Sequence, residues 1–80
     1  MFYVYLIRSI NVEQQVYTGV TSDLKKRLEV HNSGGSVHTA KYKPWELVVY
    51  MGFKDENKAR QFEKYLKSGS GRAFAKKRLW

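Results

Sequence analysis

Phe2-Tyr3-Val4-Tyr5-Leu6-Ile7 is aromatic or aliphatic at every position, the pattern of a central strand covered on both faces. Further on, Val16, Thr18 and Val20 alternate with Gln15, Tyr17 and Gly19. This predicts a strand over about residues 15 to 20 with one face buried and Tyr17 on the other, and Gly19 is expected to turn the chain where it ends. The polar run Asn11 to Gln15 reverses the chain between the two, so they should pair antiparallel and bring Tyr5 and Tyr17 into one neighbourhood. No Asn-Gly or Asp-Gly pair fixes their register.

Thr21, Ser22 and Asp23 each carry an oxygen able to cap a helix, and Leu24 and Leu28 recur as its buried stripe, so a helix is predicted over about residues 22 to 32. Arg27 and His31 share one flank of it. Asn32-Ser33-Gly34-Gly35-Ser36 stops that helix and opens a loop running to Pro44. Trp45, Leu47, Val49, Met51 and Phe53 then alternate cleanly and are expected on one face of a third strand. Asp55 is the expected N-cap of a helix reaching about Lys67, with Ala59, Phe62 and Leu66 as its core stripe and Glu63 beside them. After Ser68-Gly69-Ser70-Gly71, Ser70 is the expected cap of a last short helix, Arg72 to Leu79, anchored by Phe74 with help from Leu79 and Trp80. The architecture predicted is α+β: a small three-stranded antiparallel sheet flanked by helices, in the order ββαβαα, forming a single domain over residues 1–80.

Charge narrows the function. Fifteen Lys and Arg against seven Asp and Glu leave a net charge of +8 on 80 residues, which calls for a polyanionic partner. The cations are spread over several elements instead of being gathered on one amphipathic helix, which favours nucleic acid over a membrane surface. Lys25, Lys26, Lys41, Lys43, Arg72, Lys76 and Lys77 are the candidate nucleic-acid contacts. The absence of Cys excludes disulfides and thiolate metal sites, and no apolar run approaches the roughly 20 residues that span a bilayer, so a soluble cytoplasmic protein is expected.

Tyr3-Val4-Tyr5, Tyr17-Thr18-Gly19, Arg27, His31 and Glu63, in that order, resemble the motifs of the GIY-YIG nuclease family. The first motif has Tyr3 where the family carries glycine, and no Asn follows Glu63 to match one seen late in some members. The resemblance implies a metal-dependent endonuclease that hydrolyses phosphodiester bonds, with structured or branched DNA in repair or recombination as the expected substrate. It makes Tyr5, Tyr17, Arg27, His31 and Glu63 the candidate catalytic residues and Glu63 the ligand of Mg²⁺, for which Mn²⁺ can substitute.

In that reading Tyr5 is the general base, Tyr17 positions the water or phosphate, and His31 assists the transition state or Tyr5 itself, although the two tyrosines can exchange roles. A phenol titrates near 10, so holding it ionised at neutral pH costs about 4 kcal/mol unless cations reduce that figure. Lys25, Lys26, Arg27 and a metal ion are the expected cations, and cleavage is expected to rise from about pH 7 to 9 as phenolate accumulates. The alternative is a non-catalytic nucleic-acid-binding module of the same fold. A further reading makes the aromatic strands a dimer interface, and a monomer or weak dimer is expected. Spacing alone also allows Glu63 a plain ion pair with Lys67, four residues on.

Overall fold

The computed structural model describes residues 1–80. Its elements follow the predicted order: β1 (Phe2–Ser9), β2 (Val16–Thr21), α1 (Leu24–Ser33), a short 3-10 turn (Ala40–Tyr42), β3 (Trp45–Phe53), α2 (Glu56–Leu66) and α3 (Gly69–Arg78). The strands form one antiparallel sheet in the order β2-β1-β3. The apolar β1 is therefore central, and Val4, Tyr5, Leu6 and Ile7 are all buried. No helix is long and apolar enough to cross a membrane.

Alternation along β1 splits the core into two layers. Val4 and Leu6 pack with Ala59 and Leu66 of α2 and Ala75 of α3 on one face of the sheet. Tyr5 and Ile7 face the other way and meet Trp45, with Leu24 and Leu28 of α1 and Leu47 packed around them. The candidate site grows out of this second layer, since Tyr5 is both a core residue and the start of the chemistry.

The third strand corrects the expected single apolar face. Leu6 pairs with Val49 but Ile7 pairs with Leu47, so Val48 is an extra residue and the pleat changes sides there. Trp45 and Leu47 consequently join the Tyr5 layer, while Val49 and Phe53 join the Val4 layer. An uninterrupted period of two along a sequence does not reveal a bulge, because the extra residue reverses faces without disturbing the pattern of residue types.

The caps also sort themselves. Among the candidates before α1, Asp23 is the cap, its carboxylate accepting from the Lys26 amide at 3.1 Å. Asp55 caps α2 as expected, accepting from the Asn57 amide at 2.8 Å. The cap of α3 is Ser68, not Ser70: its hydroxyl accepts from the Gly71 amide at 3.2 Å and the helix starts at Gly69. Gly71 explains the earlier start, because a Cβ there would lie 1.7 Å from the Tyr65 carbonyl oxygen. The first turn of α3 thus packs backbone against backbone on the end of α2, which only glycine permits. Phe74 is not the anchor expected of it: it is 40% exposed and rests against Tyr65, while Ala75 is buried.

Candidate active site

The antiparallel register places Tyr5 opposite Gly19 and Ile7 opposite Tyr17, so both tyrosine side chains leave the sheet on the α1 side. Their ring centroids are 6.4 Å apart. Gly19 lies within β2 and makes no turn, contrary to the role expected of it. Its function is spatial: a Cβ at Gly19 would fall 2.5 Å from the Tyr5 hydroxyl oxygen. The missing side chain lets the Tyr5 ring lie across the neighbouring strand and reach α1.

On α1 the wholly buried residue is His31, while Leu24 and Leu28 are only half-buried. His31 Nε2 lies 2.7 Å from the Tyr5 hydroxyl, and its Nδ1 lies 2.7 Å from Thr39 Oγ1. The Tyr17 ring stacks at a tilt 5.1 Å from the imidazole. One helical turn earlier, Arg27 Nε donates to the Tyr5 hydroxyl at 3.4 Å. A chain of polar contacts therefore runs from Arg27 through Tyr5 and His31 to Thr39.

Electrostatics follow from this burial. Desolvation raises the Tyr5 pKa above 10.0, and the hydrogen bond and charge of Arg27 only partly oppose it. Lys25 and Lys26 are exposed on α1 and are not among the groups that shift Tyr5, so they do not ionise it as expected. The His31 pKa is lowered below 6.5, first by burial and then by the Arg27 charge, which leaves a neutral imidazole at pH 7. The Arg27 pKa is raised, chiefly by its hydrogen bond to Tyr5. Neutral His31 has two tautomers that complete the chain. In one, Nδ1–H donates to Thr39 and Nε2 accepts the Tyr5 proton; in the other, Thr39 donates to Nδ1 and Nε2–H donates to Tyr5.

Glu63 reaches the same region from α2, where its charge is felt at Tyr5. Its carboxylate is ion-paired with Lys67 one turn on, and the Lys67 ammonium lies 5.7 Å from the centre of the Tyr17 ring. No group of three or more His, Asp or Glu side chains stands ready to enclose a metal. The donor set is one partly exposed carboxylate, which suits a hard divalent ion that keeps most of its waters.

The structure gathers Tyr5, Tyr17, Arg27 and His31 directly, with Glu63 joined to them by way of Lys67 and Tyr17. Arg72 and Lys76 of α3 open into the same cavity as Tyr17, whereas Lys77 is exposed and does not line it. Lys41 lies over the Tyr42 ring and Lys43 runs beside Gly34, and neither lines the cavity that holds Tyr17. His38 is exposed. Thr39, whose loop position suggests from sequence a hydroxyl for phosphate contacts, is instead wholly buried against His31, a pairing that only the tertiary fold shows.

The sequence model of the GIY-YIG catalytic domain matches residues 1–78. A UPF0213 protein of Clostridium perfringens is 35% identical over 68 residues, which cover 84% of this chain and 71% of that one. A UPF0213 protein of Streptococcus pyogenes serotype M3 is 35% identical over 72 residues, covering 89% and 76%. The structure-specific endonuclease subunit SLX1 of Vanderwaltozyma polyspora is 41% identical over 66 residues, covering 74% of this chain but only 21% of its own length. The chain therefore spans about a fifth of that endonuclease subunit.

Proposed function

The chain belongs to the GIY-YIG nuclease family, and from that premise we propose that it is a Mg²⁺-dependent endonuclease hydrolysing phosphodiester bonds in structured or branched DNA. The observation that carries this reading is the hydrogen-bonded line Arg27–Tyr5–His31, with Tyr17 and Glu63 beside it. A module that only gripped a polyanion would use cations, and would have no use for a buried Tyr–His contact or a carboxylate facing the substrate.

Phosphodiester hydrolysis requires a proton to leave the attacking water and negative charge to be stabilised at the phosphoryl oxygens. Tyr5 is the base. Its raised pKa argues against a standing phenolate, so its own proton passes to His31 Nε2 as it takes the proton of the water. This uses the tautomer in which Nδ1–H donates to Thr39, and it converts neutral His31 to imidazolium next to the newly formed negative charge. Arg27 keeps hydrogen-bond donors free beyond its contact with Tyr5, and its planar fork holds a phosphoryl oxygen. Tyr17 orients the water or phosphate from the adjacent β2 position. Glu63 is the residue that would hold the metal, which when bound supplies Lewis-acid stabilisation of the leaving oxygen. The Lys67 pair is no obstacle: an i,i+4 helix pair whose lysine is in water is worth about 0.3–0.5 kcal/mol, so another cation displaces it cheaply.

The name of the SLX1 relative, a structure-specific endonuclease subunit, supports a structured substrate, and DNA repair or recombination is the setting such a substrate implies. The test is incubation with labelled linear, flapped and branched DNAs, with and without Mg²⁺, for the parent and for Glu63→Ala. Mg²⁺-dependent cutting that is lost in the variant is expected. Tight binding with no cutting in Mg²⁺ or Mn²⁺ would replace the enzyme with a binding module.

A further inference from the structure

A groove of about 780 Å³ lies between β2 and α3 with Tyr17 in its lining, and its walls are both apolar and basic. Val16 of β2 and Trp80 after α3 supply apolar surface, and Val16 is 44% exposed although it lies in a strand. Lys67, Arg72 and Lys76 bring cations to the same walls. Arg72 and Lys76 are four residues apart, hence on one side of α3, and neither forms an ion pair with an acidic side chain. The Arg8 guanidinium adds a further positive charge 5.4 Å from the Trp80 ring centre.

We infer that this groove seats an unpaired DNA strand adjacent to the phosphate that is cut. The inference rests on the nuclease reading and deepens it by naming which part of the substrate lies where. Charge complementarity selects a polyanion, because the cations here lack acidic partners other than the Glu63 of Lys67. The apolar walls select among polyanions. A duplex turns the faces of its bases inward and offers such a groove only phosphates, against which Val16 and Trp80 gain nothing. An unpaired strand offers both phosphates for Arg72 and Lys76 and base faces for the apolar surface, the combination used by single-strand binders.

Position supplies the remaining argument. Tyr17 belongs to the candidate site and also lines the groove, and β2 is an edge strand, so a DNA strand whose phosphate lies at Arg27 and Tyr5 enters the groove by passing round that edge at the Tyr17 ring. Lys67 stands at the junction, touching Glu63 on one side and lining the groove on the other. Of the seven basic residues expected from the sequence to contact nucleic acid, only Arg72 and Lys76 share this space with Tyr17. The selection follows from the fold: β2 is an edge strand, and α3 leaves an open channel beside it.

The test measures binding by fluorescence anisotropy with metal chelated, so that cutting does not intervene. Three labelled probes about ten nucleotides long are compared: a single-stranded DNA, a strand of equal charge made of abasic sites, and a blunt duplex. The parent is expected to bind the single strand about tenfold more tightly than the abasic strand, since each base against the apolar surface adds to affinity. Val16→Asn, which alters no charge at an exposed position, should bring single-strand affinity down toward the abasic value and leave duplex affinity unchanged. Arg72→Gln, on the exposed side of α3, should weaken single-strand and abasic binding alike and reduce the salt slope by about one unit. Equal parent affinity for the single and abasic strands, or variants that bind the single strand as the parent does, overturns the groove. If the groove variants behave as expected while the parent cuts no DNA, the nuclease reading fails and the groove stands. If the parent cuts branched DNA while base-dependent binding is absent, the groove fails alone.

Discussion

Gly19 and Tyr5 face each other across β1 and β2, and the tyrosine hydroxyl occupies the space where a side chain at residue 19 would begin. The glycine is needed for what it omits, since its backbone has no left-handed conformation to accommodate. Gly19→Ala should therefore push the Tyr5 hydroxyl away from His31 without dissolving the sheet. The expected result is a folded protein, destabilised by about 1–3 kcal/mol through overpacking. Cutting should drop by about two orders of magnitude for a shift of about 1 Å at the base. Full activity in Gly19→Ala would show that the Tyr5 hydroxyl tolerates displacement and is not the base.

Thr39 carries a prediction of a different kind, because it touches no substrate. It is the only partner of buried His31 Nδ1, and in the tautomer that the proposed mechanism uses its hydroxyl accepts the Nδ1 proton. Thr39→Val keeps the shape and removes the acceptor, leaving a buried donor unsatisfied at a cost of about 1–3 kcal/mol. Nitrogen NMR of the parent should show Nδ1 protonated and Nε2 free, and the variant should lose that preference together with activity. Finding Nε2 protonated in the parent would reverse the direction of the Tyr5–His31 hydrogen bond and remove His31 as the proton acceptor.

The pH dependence now centres on His31 instead of Tyr5. Its folded pKa is depressed below 6.5, so the unfolded chain binds more protons in the window between the two values. Stability should be fully present above about pH 6.5 and decline as pH falls through the lowered folded value. Cutting should follow the neutral imidazole, rising on the acid side and levelling near neutrality. The rise from pH 7 to 9 expected of an accumulating phenolate should be absent, since burial holds Tyr5 above its ordinary value. Thermal melts and single-turnover rates at pH 5.5 and 7.5 check both, and His31→Gln should flatten the stability difference. A cutting rate still climbing steeply above pH 8 would return the proton step to a free phenolate.

What the sequence disclosed and what it hid divide along the range of the interactions. Strand alternation, the Asp55 cap, the central position of β1 and the approach of Tyr5 to Tyr17 depend on neighbouring residues and on antiparallel pairing, and all are legible in the order of residue types. The bulge at Val48 was hidden because the period of two continues through it. The Ser68 cap and the buried Gly71 depend on how close α3 comes to Tyr65, which no local pattern encodes. Within the site, Arg27 and His31 were visible as an i,i+4 pair on one helix. Thr39 required a loop to fold back on α1, and the sign of the Tyr5 shift required knowing that burial outweighs the one nearby cation.

Lys67 gives the metal proposal a readout independent of cutting. Its ammonium is paired with Glu63 in the free protein, and on the proposed metal site it would have to release the carboxylate to a divalent ion. Lys67→Met should therefore tighten Mn²⁺ binding, measured by electron paramagnetic resonance, by only about twofold, in keeping with a pair worth about 0.3–0.5 kcal/mol. Glu63→Ala should abolish the binding. Metal affinity that is unchanged in Glu63→Ala would remove Glu63 as the ligand.

Arg27 and Glu63 should part company when binding and cutting are measured on the same DNA. Glu63→Ala removes a negative charge that faces the polyanion and places a good helix former at a half-buried position of α2, so affinity should hold or rise slightly while cutting disappears. In the proposed mechanism Arg27 holds phosphate before as well as during the reaction, so Arg27→Ala should lose affinity and cutting together. It also withdraws the Arg27 charge, which adds to burial in lowering the His31 pKa, so the acid limb of the variant's stability profile should move part of the way toward 6.5. That last shift separates a working arginine from a solvated one: a surface cation remote from the site would weaken DNA binding by screening alone and leave the His31 titration where it was. Arg27→Ala with parental affinity and an unmoved titration would detach Arg27 from both the phosphate and the Tyr5–His31 line.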